Sequence, residues 1–244
     1  MKKLTISAAA IILGIALSLV PATQAATNCS FTTVDMIMVL DSDCTTDATI
    51  FIPNEWTLNG NDFTITAVDP AGGHFTGAVV ANGGPVANVE HLSITTSALG
   101  NVCDAGANRL RGIMFQAASG TIAHNRVLNI NQGPSGCQEG NAIEIRNDPM
   151  DGTHPNTQHV TVFGNKIEGY QKTGIVANGD VAVDIQNNQI GSSATQANLA
   201  ANSVQLGFGG TGIVMNNNID GNSWCGPSNY VATAVLVLGG TRKH

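Results

Sequence analysis

The residues best suited to chemistry gather in the middle of the chain. Glu144 and Arg146 alternate along Asn141-Ala-Ile-Glu-Ile-Arg-Asn147, with Arg109 and Arg111 upstream and Lys172 downstream. A carboxylate among apolar neighbours has its pKa raised by desolvation, and a nearby guanidinium pulls it down. Arg146 or Arg111 could neutralise an acidic group, and Lys172, Tyr170 or His159 could take a proton. The plainer alternative is a strand-surface ion pair of Glu144 with Arg146, and a solvated Lys172. Arg109, Arg111, Arg146 and Lys172 are four of the ten Lys+Arg in a chain of net charge −7. Concentrating cations there suits a carboxylate-bearing ligand.

Those residues are positioned by a repeat. One recurring segment places an asparagine two residues before an aliphatic anchor: His-Asn-Arg-Val at Asn125, Gly-Asn-Lys-Ile at Asn165, Asn-Asn-Gln-Ile at Asn188 and Asn-Asn-Asn-Ile at Asn217. Weaker copies end at Ile65 and Ile94, so the anchors Ile65, Ile94, Val127, Ile167, Ile190 and Ile219 lie 29, 33, 40, 23 and 29 residues apart. A second set alternates with it, Ile113, Ile143, Ile175, Val204 and Val235, at intervals of 30, 32, 29 and 31. Each copy is a short period-2 apolar run, the pattern of a strand with one face buried. Two short strands recurring at this spacing stack in parallel on their own copies, burying each anchor against the equivalent anchor of the next coil. The asparagines would sit in left-handed turns and hydrogen-bond along the stack. With the second anchors inward, the outward row reads Met114, Glu144, Val176, Gln205 and Leu236. The next outward row reads Gln116, Arg146, Asn178, Gly207 and Leu238. The expected ligand face therefore holds Arg109, Arg111, Gln116, Asn178 and Gln205 beside the candidate catalytic groups.

This pattern, with the opening coil Ile52-Pro-Asn-Glu-Trp-Thr-Leu-Asn-Gly-Asn61, resembles the right-handed parallel β-helix repeat family. That is the superfamily of pectate lyases, polygalacturonases and alginate epimerases. The resemblance spans roughly residues 50–240 and implies an all-β solenoid of about six to seven coils. It also implies an extracellular polysaccharide as ligand, with lyase or epimerase chemistry on uronate-containing glycans if the protein is an enzyme. Hydrolysis in that superfamily uses clustered aspartates, and no Asp-Asp pair occurs here. No catalytic residue of a named enzyme can be carried over by position. The rival expectation is a non-catalytic extracellular solenoid that presents loops to a partner, because one fold hosts many functions. Trp56, Trp224, Tyr170 and Tyr230 could stack on sugar rings or pack as caps. No cofactor is expected; Asp148, Asp151 and His154 could hold calcium, although Asp, Pro and Gly also make ordinary turns.

Residues 1–25 read as a cleaved export signal: Lys2 and Lys3, an apolar run from Ile6 to Val20, and Thr23 and Ala25 before the cut. Residues 26–49 would cap the helix, and 50–244 would form it. Removing the signal leaves 8 Lys+Arg against 17 Asp+Glu. So acidic a surface excludes phosphate-neutralising nucleic-acid binding, and no further segment is long and apolar enough to enter a membrane. Five cysteines in an exported chain predict disulfides. Cys29–Cys44 closes an N-terminal loop, Cys103–Cys137 joins equivalent turns of adjacent coils, and Cys225 is left unpaired. The strand Ala234–Leu238 would end the core with nothing folded across it, which predicts self-association or a missing cap.

Overall fold

The computed structural model describes residues 27–150, 156–196, 199–226 and 230–239, and shows a parallel β-helix of three sheets. The expected export signal lies outside the described residues. Each coil gives one strand to each sheet, as in Arg111–Gln116, Ser119–Ala123 and Arg126–Leu128. The first sheet stacks seven strands from Ile50–Ile52 to Thr233–Leu238, and the third stacks seven from Cys44–Thr46 to Asn218–Ile219. The second has eight, ending at Thr211–Met215.

Both anchor columns hold register. Ile113, Ile143, Ile175, Val204 and Val235 are partners in the first sheet. Ile65, Ile94, Val127, Ile167, Ile190 and Ile219 are partners in the third. Most are fully buried, and burial of each such side chain stabilises by roughly 1.5–3 kcal/mol. The sequence pattern predicts two strands per coil, whereas the structure has three. The extra strands are short on apolar signal: Ser119–Ala123 opens Ser-Gly-Thr and buries only Ile122 and Ala123. Its Gly120 (φ 145°) is required, since a Cβ there would lie 1.8 Å from the Ala87 carbonyl oxygen.

The asparagine column forms a continuous ladder. Asn165 Oδ1 accepts from both the backbone N–H and the Nδ2 of Asn125 at 2.9 and 3.0 Å. Asn188 Oδ1 does the same for Asn165, and Asn217 Oδ1 for Asn188. The left-handed conformation expected of these asparagines belongs instead to the residue before each: His124, Gly164, Asn187 and Asn216. At the N-terminal end, winding starts earlier than residue 50. Ile37–Leu40 and Cys44–Thr46 already pair in parallel with the next coil, and only Phe31–Val34 adds an antiparallel strand. The expected cap is thus a hairpin fused to a first partial coil.

Candidate functional site

The outer face of the first sheet carries the expected rows in the expected register. Met114, Glu144, Val176, Gln205 and Leu236 are successive partners, and so are Gln116, Arg146, Asn178, Gly207 and Leu238. Arg111, Glu144 and Arg146 therefore meet. Their roles, however, differ from a shared ligand face.

Arg111 is 1 % exposed, and its Nε donates to Glu144 Oε2 at 2.5 Å. Its remaining nitrogens donate to the carbonyls of Gly106, Ala107 and Arg109. The same loop is gripped from its amide side. Glu139 Oε1 accepts from the Asp104 N–H and Oε2 from the Leu110 N–H, both at 2.8 Å. The Cys103–Cys137 disulfide ties the loop to the next coil. A cation on the carbonyls and an anion on the amides thus fold residues 104–110 over the sheet. Arg111, expected as a ligand contact, is a buried loop clamp with four of its five N–H groups engaged. Glu144, expected as a catalytic acid or base, is 5 % exposed and also accepts from Asn141 Nδ2 at 2.9 Å. An ion pair buried this way is a positioning device.

Arg146 is less committed. Its contacts to Glu144 Oε1 and Asp148 Oδ2 are long, 3.9 and 3.8 Å, and its Nε has no hydrogen-bond partner. Arg109 Nε also lacks one. Asn178 and Gln205 bond one another through Nε2 of Gln205 at 3.2 Å.

Of the expected proton acceptors, Tyr170 and His159 are not brought to this face, and Lys172 stands at its edge, just before Thr173–Gly179. Tyr170 is fully buried in the core, where its hydroxyl donates to Ser203 Oγ at 3.0 Å and meets Asn222. Burial pushes that hydroxyl above its ordinary pKa of 10.0. His159 lies on the second sheet, 3.6 Å from Asp184. Lys172 Nζ donates to the Ala200 carbonyl at 2.7 Å, and desolvation lowers its pKa from 10.5. A lowered lysine pKa suits a base, but this ammonium is aimed at backbone. Sequence periodicity told inside from outside, but not which outward side chains a loop would cover.

Beside Arg146 lies a groove that was not expected. It has a volume of about 500 Å³, and its floor is the outward column Phe51, Ala81 and Met114. Asn82 to Pro85 and Gln116 wall one side, and Gly77 and Ala107 of the clamped loop the other. Phe51 is 62 % exposed. Its signal was legible, since period-2 alternation in Ile50-Phe51-Ile52 turns the ring outward. A larger cleft of about 740 Å³ lies between the turns at Ser192–Gln196 and Gly221–Gly226, with Trp224 and the free thiol of Cys225. Among the described residues, no charged side chain lines it. Trp56 packs half-buried on the core, and Trp224 meets Tyr230 edge to face.

Of the three residues expected to hold calcium, Asp148 alone is among the described residues. Asp148 is exposed and faces Arg146, while Asp151 and His154 lie outside the described residues. Among the described residues, the one preassembled group is Cys103, Cys137 and Glu139. Both sulfurs are in the disulfide and the carboxylate already takes two amides. The second expected disulfide, Cys29–Cys44, is present as well. Two disulfides fit an oxidising compartment, and no described helix is long and apolar enough to cross a membrane.

The chain matches no family model, no curated protein and no solved structure in these three comparisons.

Proposed function

We propose that this is an exported β-helix protein, allied to the pectate-lyase-like superfamily, that binds an extracellular acidic polysaccharide on the outer face of its first sheet without cleaving it. The observation that carries this reading is the Phe51–Ala81–Met114 groove with Arg146 one coil beyond Gln116. Apolar floors take the faces of sugar rings, and polar walls orient them. The terminal nitrogens of Arg146, held only by the long contacts to Glu144 and Asp148, offer a charge-assisted contact to a uronate carboxylate. Binding is favoured over turnover because Glu144 is held by Arg111 and Asn141, while Tyr170, His159 and Lys172 are engaged elsewhere.

Calorimetric titration with oligogalacturonate, oligoalginate and neutral glucan fragments tests it. At least one acidic oligosaccharide should bind saturably, with no ultraviolet-absorbing unsaturated product. Phe51→Ala and Arg146→Ala should each weaken binding by about tenfold, equivalent to ~1.4 kcal/mol, with thermal stability retained. Failure of every acidic fragment to bind would remove the reading. Product formation would keep the ligand and overturn the claim of binding without cleavage. A second reading, a solenoid that presents surface to a protein partner, is favoured by the apolar residues exposed on the last coil.

A further inference from the structure

We infer a transition-metal site on the opposite side of the molecule, at the corner between the second and third sheets, formed by His91, His124 and Asp62. These residues occupy the left-handed turn position of three successive coils, with φ of 51°, 57° and 64°. The backbone fixes them in one column: Asp62 N–H donates to the His91 carbonyl at 2.7 Å and His91 N–H to the Ala123 carbonyl at 3.3 Å. His124 N–H donates to the Phe163 carbonyl at 3.0 Å, and the buried Asn125 ladder follows immediately. Neighbouring Cα atoms in the column are thus held about one coil, ~4.8 Å, apart.

The side chains already lean on one another. The two imidazole rings stack with centroids 5.3 Å apart and planes 19° from parallel. Phe163 closes the far side of His124 edge-on, at 5.4 Å. His91 Nδ1 is 3.9 Å from Asp62 Oδ1. Two imidazole nitrogens and a carboxylate oxygen on a rigid column are the donor set that Zn²⁺, Ni²⁺ and Cu²⁺ prefer. Metal–nitrogen bonds of roughly 2.0–2.1 Å in a tetrahedral site need the two nitrogens about 3.3 Å apart. From the stacked arrangement, reaching that separation requires the rings to turn about their own side-chain bonds. Both rings and the carboxylate are exposed, so no packed core resists the movement. Three protein ligands leave a position for water, on the rim of a groove of about 520 Å³ along the third sheet that Asp62 and Arg126 line. The site shares no residue with the Phe51 groove and does not depend on the glycan reading.

Untagged protein, stripped with chelator, is titrated calorimetrically with Zn²⁺ and with Ni²⁺. One saturable site of micromolar affinity is expected. His91→Ala and His124→Ala should each weaken it at least tenfold, Asp62→Ala less, and His74→Ala and His159→Ala not at all. Copper(II) electron paramagnetic resonance should show coupling to two nitrogens in the native protein and to one in either histidine variant. Circular dichroism of each variant separates lost ligands from lost fold. Absence of saturable binding, or binding undiminished in both histidine variants, overturns the inference.

Discussion

At the scale of single residues, Tyr170 and Lys172 give the fold opposite responses to pH. Burial raises the Tyr170 hydroxyl above 10.0, so the folded state holds that proton more tightly than the unfolded chain. The stability it contributes is complete below the unfolded value and is lost as pH climbs through the raised folded one. Desolvation lowers Lys172 from 10.5, so there the unfolded chain holds the proton more tightly. Its contribution is complete above 10.5 and falls away as pH drops through the lowered folded value. Tyr170→Phe keeps the packed ring and removes only the hydroxyl, leaving Ser203 Oγ and Asn222 one partner short. It should cost about 1–2 kcal/mol near neutral pH. Its urea midpoint should also fall less steeply than the native one as pH rises past about 10. A native-like alkaline slope in this variant would mean that another group sets it.

At the scale of elements, the asparagine ladder holds the corner between the second and third sheets. Asn165 is 1 % exposed and bonds both neighbours: it accepts from Asn125 and donates to Asn188 Oδ1 and the Ile122 carbonyl. Asn165→Ala strands buried groups on both adjoining coils, and each such group costs roughly 1–3 kcal/mol. A loss of about 2–4 kcal/mol is expected, read as a lower urea midpoint. Asn217→Ala, at the half-buried end of the ladder, should cost less. Equal effects would show that burial does not grade the ladder. The column was readable from the repeated x-Asn-x-(Ile/Val), as were both anchor columns and the Cys103–Cys137 disulfide, because all recur at about one coil's spacing; Cys29–Cys44 was readable instead as the pair that closes a short N-terminal loop. The roles of outward charges were not readable in this way. Nothing in period-2 alternation says that residues 104–110 fold back so that their carbonyls engage Arg111 and their amides engage Glu139. That depends on a loop whose length and path vary between coils. His91 and His124 are an intermediate case. Each immediately precedes the ladder position, held by Leu92 and Asn125, but later coils carry Gly164, Asn187 and Asn216 there, so histidine does not repeat down the column.

At the scale of the whole molecule, the two ends of the solenoid differ. The first coil is closed on its second sheet by the antiparallel Phe31–Val34 strand and is stapled by Cys29–Cys44. At the other end, Val235 and Val237 continue the inward column of Val204 and Leu206. Yet they are 46 % and 67 % exposed, against 0 % and 8 % one coil earlier. Phe208, Ile213 and Met215 add exposed apolar surface nearby. Thr233–Leu238 is the edge of the first sheet, and its sequence Thr-Ala-Val-Leu-Val-Leu contains no charge and no proline to discourage pairing. Two such edges can pair with each other, so the protein should associate through this strand as concentration rises. Light scattering over a concentration series checks it: the mass should climb above that of one chain. Val237→Lys places a charge on the exposed edge without emptying a filled core position, and should hold the mass at the monomer value with little change in melting temperature. A native protein that stays monomeric throughout the series would show that this edge does not recruit a second copy, and association undiminished by Val237→Lys would place the contact on another surface.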